Sequence, residues 1–212
     1  MSNVVDLDAC PVDTEDDLRR FVGFPSHIVL GKVQDHIDGH ARAFIAACPM
    51  VIVSSADSRG RCDVSPRGDP PGFVKVLDGR TLLIPDRKGN RRADTMSNIL
   101  ENPHLGILFL VPGNDVTLRV SGRAGLTSDD AILGVCAVEG KRPALGVVVD
   151  VEELFFHCAR AFRRSGLWDP ARWPNRSGLS TYGTILVEHA ALTDRTAEQM
   201  DAELEVHDRD LY

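Results

Sequence analysis

The sequence predicts an α+β fold: a predominantly antiparallel β-barrel with short flanking helices. About six or seven short apolar runs are separated by turn signals. One of them, Thr117–Leu126, alternates apolar and polar residues, and the segments with helical spacing are short and fall between strands. The 212 residues suit one domain with a sizeable core.

Residues 1–31 read as an N-terminal arm with a helix around Glu15–Val22, residues 32–156 as the barrel core, and residues 157–212 as helices and a loop packing on the same domain. From Asp35, Ile37, Ala41, Phe44, Ile45 and Cys48 mark one face of a helix that Pro49 ends. Met50–Ser54 and Cys62–Ser65 read as strands joined by the turn Asp57-Ser58-Arg59-Gly60. Phe73–Leu77 and Thr81–Ile84 flank Asp78-Gly79, a hairpin signal. Asn90 is placed as the N-cap of the next helix, with Asp94 in its first turn. Ala93, Met96, Ile99 and Leu100 form its core face, and Asn102-Pro103 stops it.

Leu105–Val111 is a nearly unbroken apolar strand, and Pro112-Gly113-Asn114-Asp115 turns the chain into Thr117–Leu126. There Leu118, Val120 and Ala124 face one way, and Thr117, Arg119, Ser121 and Arg123 the other. A short helix near Asp129–Val138, a strand Ala144–Phe156, a basic helix Cys158–Gly166, a Trp/Pro/Arg-rich loop and a charged helix from Thr196 to about Arg209 complete the chain.

Composition narrows the partners. Hydrophobic residues make up 43% and charged residues 26%, as in globular proteins, and the formal net charge is −7. An acidic chain with 6% aromatics is a poor partner for nucleic acid, so clustered arginines point to a local anion. No apolar stretch approaches the roughly 18 residues that span a bilayer, and Met1–Asp8 lacks a signal-peptide layout. The five cysteines, Cys10 included, are scattered and show neither a disulfide framework nor a zinc pattern, so a cytoplasmic protein without a metal site is expected.

Two arginine-bearing loops carry the chemistry. Asp63-Val64-Ser65-Pro66-Arg67-Gly68-Asp69-Pro70-Pro71-Gly72-Phe73 offers Ser65 and Arg67. Ile84-Pro85-Asp86-Arg87-Lys88-Gly89-Asn90-Arg91-Arg92 runs into a helix start, where unpaired N–H groups and the dipole favour an anion. Guanidinium groups add bidentate bonds suited to phosphate. The same arginines could instead pair with Asp86 and Asp94 on a solvated helix start. The Thr117/Arg119/Ser121/Arg123 face could line a ligand or a subunit interface, or be the wet side of a sheet. On a helix His157, Arg160 and Arg164 would share a face able to bind an acidic group, with Trp168 or Trp173 as cover; the alternative is a basic helix pairing with surplus acid around a buried Cys158.

The order of these pieces resembles the flavin-binding split-barrel family typified by pyridoxamine-phosphate oxidase. The matching run is Leu82-Leu83-Ile84-Pro85-Asp86, then Asn90-Arg91-Arg92, the helix, Asn102-Pro103 and Leu105–Leu110. The likeness covers roughly Pro49 to Thr127 and is closest to a branch in which the D-V-S-P-R-G-D and G-N-R-R-x-D-T segments recur. It implies FMN bound at a homodimer interface, with the phosphate near Arg67, Arg91 and Arg92 and the ring against Ile84–Arg87. Ser65, Asn90 and Thr95 join the cofactor-binding set, and the second subunit closes the site with Thr117, Arg119 and Ser121. The implied activity is that of an FMN-dependent oxidoreductase on a small-molecule substrate that could be anionic. A non-catalytic flavin, deazaflavin or haem carrier or sensor on the same barrel is the alternative. The stretch from the helix-opening loop to Asn-Pro is longer than in the oxidase, and the oxidase's Trp-containing C-terminal signature is absent, so the likeness is to the family and not to its vitamin B6 activity. No catalytic side chain is nominated.

Overall fold

Seven strands among the described residues form one antiparallel sheet whose two edges are not joined by a ladder, so the barrel is open. The computed structural model describes residues 12–212 and divides into two units, one ending at Val33 and the other spanning Gln34–Tyr212. The expectations for Met1–Asp8 and Cys10 lie outside the described residues.

The first unit holds two helices, α1 (Glu15–Val22) and α2 (His27–Gly31). Thr14 and Ser26 accept hydrogen bonds from the opening N–H groups, at Asp17 and Val29. α2 falls in the N-terminal arm beyond the one helix predicted there.

The second unit begins with α3 (Gly39–Ala47), capped by Asp38, whose carboxylate accepts from the Ala41 N–H at 2.8 Å. Then follow β1 (Met50–Ala56), β2 (Cys62–Gly68), β3 (Lys75–Val76), β4 (Thr81–Pro85), α4 (Asp94–Glu101), β5 (His104–Leu110), β6 (Thr117–Thr127), α5 (Asp130–Gly134), β7 (Gly146–His157), α6 (Arg160–Ser165), α7 (Tyr182–His189) and α8 (Ala197–His207). The strands neighbour one another in the order β2-β1-β5-β6-β7-β4-β3. The α+β, antiparallel barrel expectation stands, with the split between β2 and β3. No helix of the described residues is long and apolar enough to cross a membrane.

Alternation builds the core. Val51 and Val53 of β1, Ile107 and Phe109 of β5, Leu118 and Val120 of β6, and Val149 and Val151 of β7 are buried on one face, covered by Ala41 and Ile45 of α3 and Ile99 of α4. At Asp78-Gly79 the Asp78 carboxylate accepts from the Arg80 and Thr81 N–H groups and from the Thr81 hydroxyl, which fixes the β3–β4 turn. Between Ser121 and Gly122 the β6–β7 register shifts, and Gly122 lies so close to Asp150 that a Cβ there would stand 2.1 Å from the Asp150 carbonyl oxygen.

Four expectations are corrected. Pro66–Gly68 is not loop but strand: the strand read as Cys62–Ser65 runs on to Gly68, and β2 is an edge strand, where a proline such as Pro66 is tolerated. Asn90 is not the N-cap of α4; Ala93 holds that position in a left-handed conformation (φ 57°), and Arg91 is left-handed as well (φ 62°). Leu100, placed on the core face of α4, is 77% exposed, because Thr95, Met96 and Ile99 fill that face. His157 ends β7 and does not belong to the helix carrying Arg160 and Arg164, and Cys158 is exposed.

Candidate functional site

The strand conformation of β2 gives Arg67 its direction. In an antiparallel ladder, residues opposite one another share a face. Arg67 is opposite Val51 and Ser65 opposite Val53, both of the core face, and Asp63 is opposite Ser55. Asp63, Ser65 and Arg67 therefore line the inner side of an edge strand, where the barrel is open. The sequence reading ends the strand at Ser65, sets Arg67 beyond it and leaves Asp63 out of the site; a period of two along Asp63, Ser65 and Arg67 is the signal that groups them.

From there Arg67 reaches across the split. Its Nη1 lies 3.4 Å from Asp86 Oδ1, just past β4, and its Nη2 lies 3.4 Å from Thr95 Oγ1 in the first turn of α4. Thr95, 2% exposed, donates its hydroxyl to Asp63 at 2.8 Å. A small pocket at this point is lined by Val53, Arg67, Ile84, Pro85, Asp86, Met96 and Val147. Its walls are apolar and its polar groups are the Arg67–Asp86 pair. Burial pushes the Asp86 carboxyl above its ordinary value, and the Arg67 charge works the other way.

The start of α4 borders the same place. Six of the described α-helices open on a Ser, Thr or Asp side chain that accepts from the first turn, whereas α4, like the short α6, has no side-chain cap. Its opening N–H groups lack the usual acceptor. Two non-glycine residues with positive φ, Arg91 and Ala93, shape the approach, a conformation that surrounding structure must enforce. Asn90 Oδ1 accepts from the Arg92 N–H, and the exposed Arg92 guanidinium is paired with Asp94 at 2.8 Å.

Arg87 is turned elsewhere. Its Nε donates to Asp69 at 2.6 Å and its Nη2 to the Cys136 carbonyl at 2.7 Å, and its guanidinium lies 5.3 Å from the Tyr212 ring centre. Asp69, with a side chain 2% exposed, also accepts from the Tyr212 hydroxyl at 2.5 Å. That bond raises the phenol above its ordinary range. Arg87 thus ties the ends of β2 and β4 to α5 and to the last residues of the chain.

The third predicted group lies apart. Leu118 and Val120 point into the core, so Arg119 and Ser121, opposite Leu108 and Gly106, point out of the other face of the sheet. Arg119 lies over the Phe155 ring at 5.2 Å, 3.5 Å from the Ser121 hydroxyl and 3.7 Å from Glu153. Thr117 is 3% exposed, opposite His157. One chain therefore brings together Ser65, Arg67, Ile84, Pro85, Asp86 and Thr95, with Asn90, Arg91 and Arg92 at the neighbouring helix start, and leaves Thr117, Arg119 and Ser121 elsewhere. Near α6, Trp168 stacks on Phe162 and donates to the Asn114 carbonyl, Trp173 donates to the Leu167 carbonyl, and Arg163 pairs with Asp115.

The family model described as pyridoxamine 5'-phosphate oxidase matches residues 37–158. No curated protein matches the chain. Among solved structures, Group A Streptococcus HupZ is similar at 18% identity, over 57% of this chain and 93% of that one, with a TM-score of 0.47. A putative pyridoxamine 5'-phosphate oxidase of Lactobacillus delbrueckii is similar at 18% identity over 57% and 95% (TM-score 0.45), and an FMN-binding protein of Syntrophomonas wolfei at 15% identity over 68% and 96% (TM-score 0.44).

Proposed function

Because this chain belongs to the pyridoxamine 5'-phosphate oxidase family, we propose that it binds FMN and acts as an FMN-dependent oxidoreductase on a small-molecule substrate. The observation that carries this reading is the convergence of Arg67 of β2, Met96 of α4 and Ile84, Pro85 and Asp86 at the end of β4 on one pocket beside an uncapped helix start, with Thr95 in reach of Arg67. A partly buried guanidinium fork and backbone N–H groups without a side-chain cap form the donor set a phosphate monoester needs. Arg67 and the N–H groups that open α4 would hold the phosphate, with Arg91 and Arg92 at the rim and Ser65 alongside, while Thr95 positions Arg67 and Asp63. Ile84 and Pro85 would face the ring, Asp86 would stand at the phosphate end beside Arg67, and Arg87 would brace the strand ends through Asp69.

When bound, FMN supplies the hydride and electron transfer. The chain's part is to hold the phosphate, orient the ring on the end of β4 and keep the apolar side of the pocket dry through Val53, Met96 and Val147. A second copy of the chain completes the reading. Arg119 and Ser121 lie on the opposite face from Arg67, so one chain cannot turn both groups to one ligand, while two chains can.

The test is direct. Purified protein should show flavin bands in its visible spectrum, release FMN on denaturation, or take up added FMN stoichiometrically. Arg67→Ala should bind FMN at least about tenfold more weakly. A colourless protein that ignores added FMN overturns the reading. Bleaching by NADH or NADPH under anaerobic conditions marks the oxidoreductase; bound FMN that neither reduces marks a passive carrier.

A further inference from the structure

Two arginine–aspartate pairs cross between the ends of β2 and β4, and they differ in kind. Asp69 and Arg87 meet at 2.6 Å with side chains 2% and 17% exposed, closed over by Tyr212. Arg67 and Asp86 meet at 3.4 Å with side chains 25% and 31% exposed, and both line the pocket. The first pair fixes the two strand ends. The second is long, partly wetted and made by a cation that reaches into the pocket wall.

We propose that Asp86 is an internal stand-in for the ligand's anion: it occupies Arg67 until a phosphate displaces it, which makes Asp86 a specificity-determining residue that turns away weakly held anions. The inference rests on the FMN reading above and adds to it that Asp86 competes with the phosphate. Among the described residues, the surroundings leave Asp86 no other cation. From β2 it meets Arg67, while Asp63 is held by the Thr95 hydroxyl; α4 presents Thr95 and Met96, and β7 presents Val147. Arg87, next in the chain, is committed to Asp69, and Arg92 to Asp94. Once Arg67 turns to a phosphate, Asp86 is a half-buried carboxylate beside a second negative charge. It then takes a proton from solvent, so binding is coupled to proton uptake. The burial that already disfavours its charged form acts in the same direction.

The experiment compares FMN with riboflavin, which differ only in the phosphate, by quenching of flavin fluorescence. It uses the full chain, Asp86→Asn, Arg67→Ala and the double variant; Asp86→Ser repeats the test should the amide disturb folding. Asp86→Asn should tighten FMN on the order of tenfold and leave riboflavin unchanged, and the gain should vanish on the Arg67→Ala background. FMN affinity of the parent chain should rise more steeply than that of Asp86→Asn as pH falls from about 8 to about 5, since the substituted amide leaves only the phosphate to titrate. Weaker FMN binding by Asp86→Asn, an equal gain for riboflavin, or a gain that persists without Arg67 overturns the proposal. Should neither flavin bind the parent chain, the FMN reading falls by itself. The same variants then meet inorganic phosphate, read as a shift in Tm: a larger shift for Asp86→Asn only when Arg67 is present upholds the exchange, and an unchanged shift overturns it.

Discussion

Arg87 and Asp69 meet at 2.6 Å outside the pocket lining, one residue on from Asp86 and two on from Arg67, whose looser contact lies within it. Neighbouring arginines with the same chemistry therefore have different work. One closes the barrel's split from behind, and the other remains available at its mouth.

Removing Arg87 leaves the Asp69 carboxylate buried with the Tyr212 hydroxyl as its remaining side-chain partner among the described residues. Arg87→Ala should cost about 3–5 kcal/mol in urea unfolding. Arg67→Ala, at a half-exposed and long contact, should cost about 1 kcal/mol or less. Equal losses for the two variants would mean that the pairs are alike after all.

The rim of the helix start makes a separate prediction. Arg91→Ala combined with Arg92→Ala should leave the fold and its Tm nearly unchanged, since Arg92 is 72% exposed and paired with its neighbour Asp94. FMN affinity should fall on the order of tenfold or more. Unchanged affinity would reduce these arginines to a solvated helix start.

Asp57 gives a pH signature distant from the pocket. Its carboxylate accepts from the Arg61 and Arg59 N–H groups and from the Arg61 guanidinium. The hydrogen bond from the Arg61 backbone is foremost in holding it at about 2, below the ordinary 3.8. A depressed carboxyl contributes stability that is present above the unfolded value and lost as pH falls through the folded one. Stability should therefore decline between about 4 and about 2. Asp57→Asn should be less stable at neutral pH and show a shallower decline in that window. Acid unfolding followed by circular dichroism checks both.

Gly122→Ala should destabilise the chain by at least about 2 kcal/mol or prevent folding, because its Cβ would meet backbone, the Asp150 carbonyl oxygen at 2.1 Å, where no rotamer change can make room. Gly125→Ala, three residues along the same strand with nothing within 4 Å, is the matched control and should be nearly neutral. Similar thermal melts for the two would place the bulge elsewhere.

What can be read in advance follows from where the physics is local. Leu118, Val120 and Ala124 against Arg119, Ser121 and Arg123 carry the period of a half-buried strand, and the β6 faces follow it. The Asp78 turn and the Thr196 helix start are likewise made by side chains bonding to adjacent backbone. Pro66–Gly68 reads as a loop because Pro66 and Gly68 are loop residues almost everywhere except an edge strand, and edge status is decided by partners distant in sequence. The left-handed Arg91 and Ala93 carry no glycine to announce them. The division of work between Arg67 and Arg87 depends on Asp69, Cys136 and Tyr212, the last 125 residues away from Arg87 along the chain (212 less 87), and no spacing rule reaches that far.

The uncapped opening of α4 has a consequence for order as well as affinity. A helix without its own first acceptor leaves part of its closing interaction to be made by a visitor, and an anion that makes it becomes, for as long as it stays, a piece of secondary structure. Occupancy and the fraying of residues 90–95 are then one equilibrium seen from its two ends: whatever loosens this turn weakens the ligand, and whatever ligand binds lengthens the life of the turn.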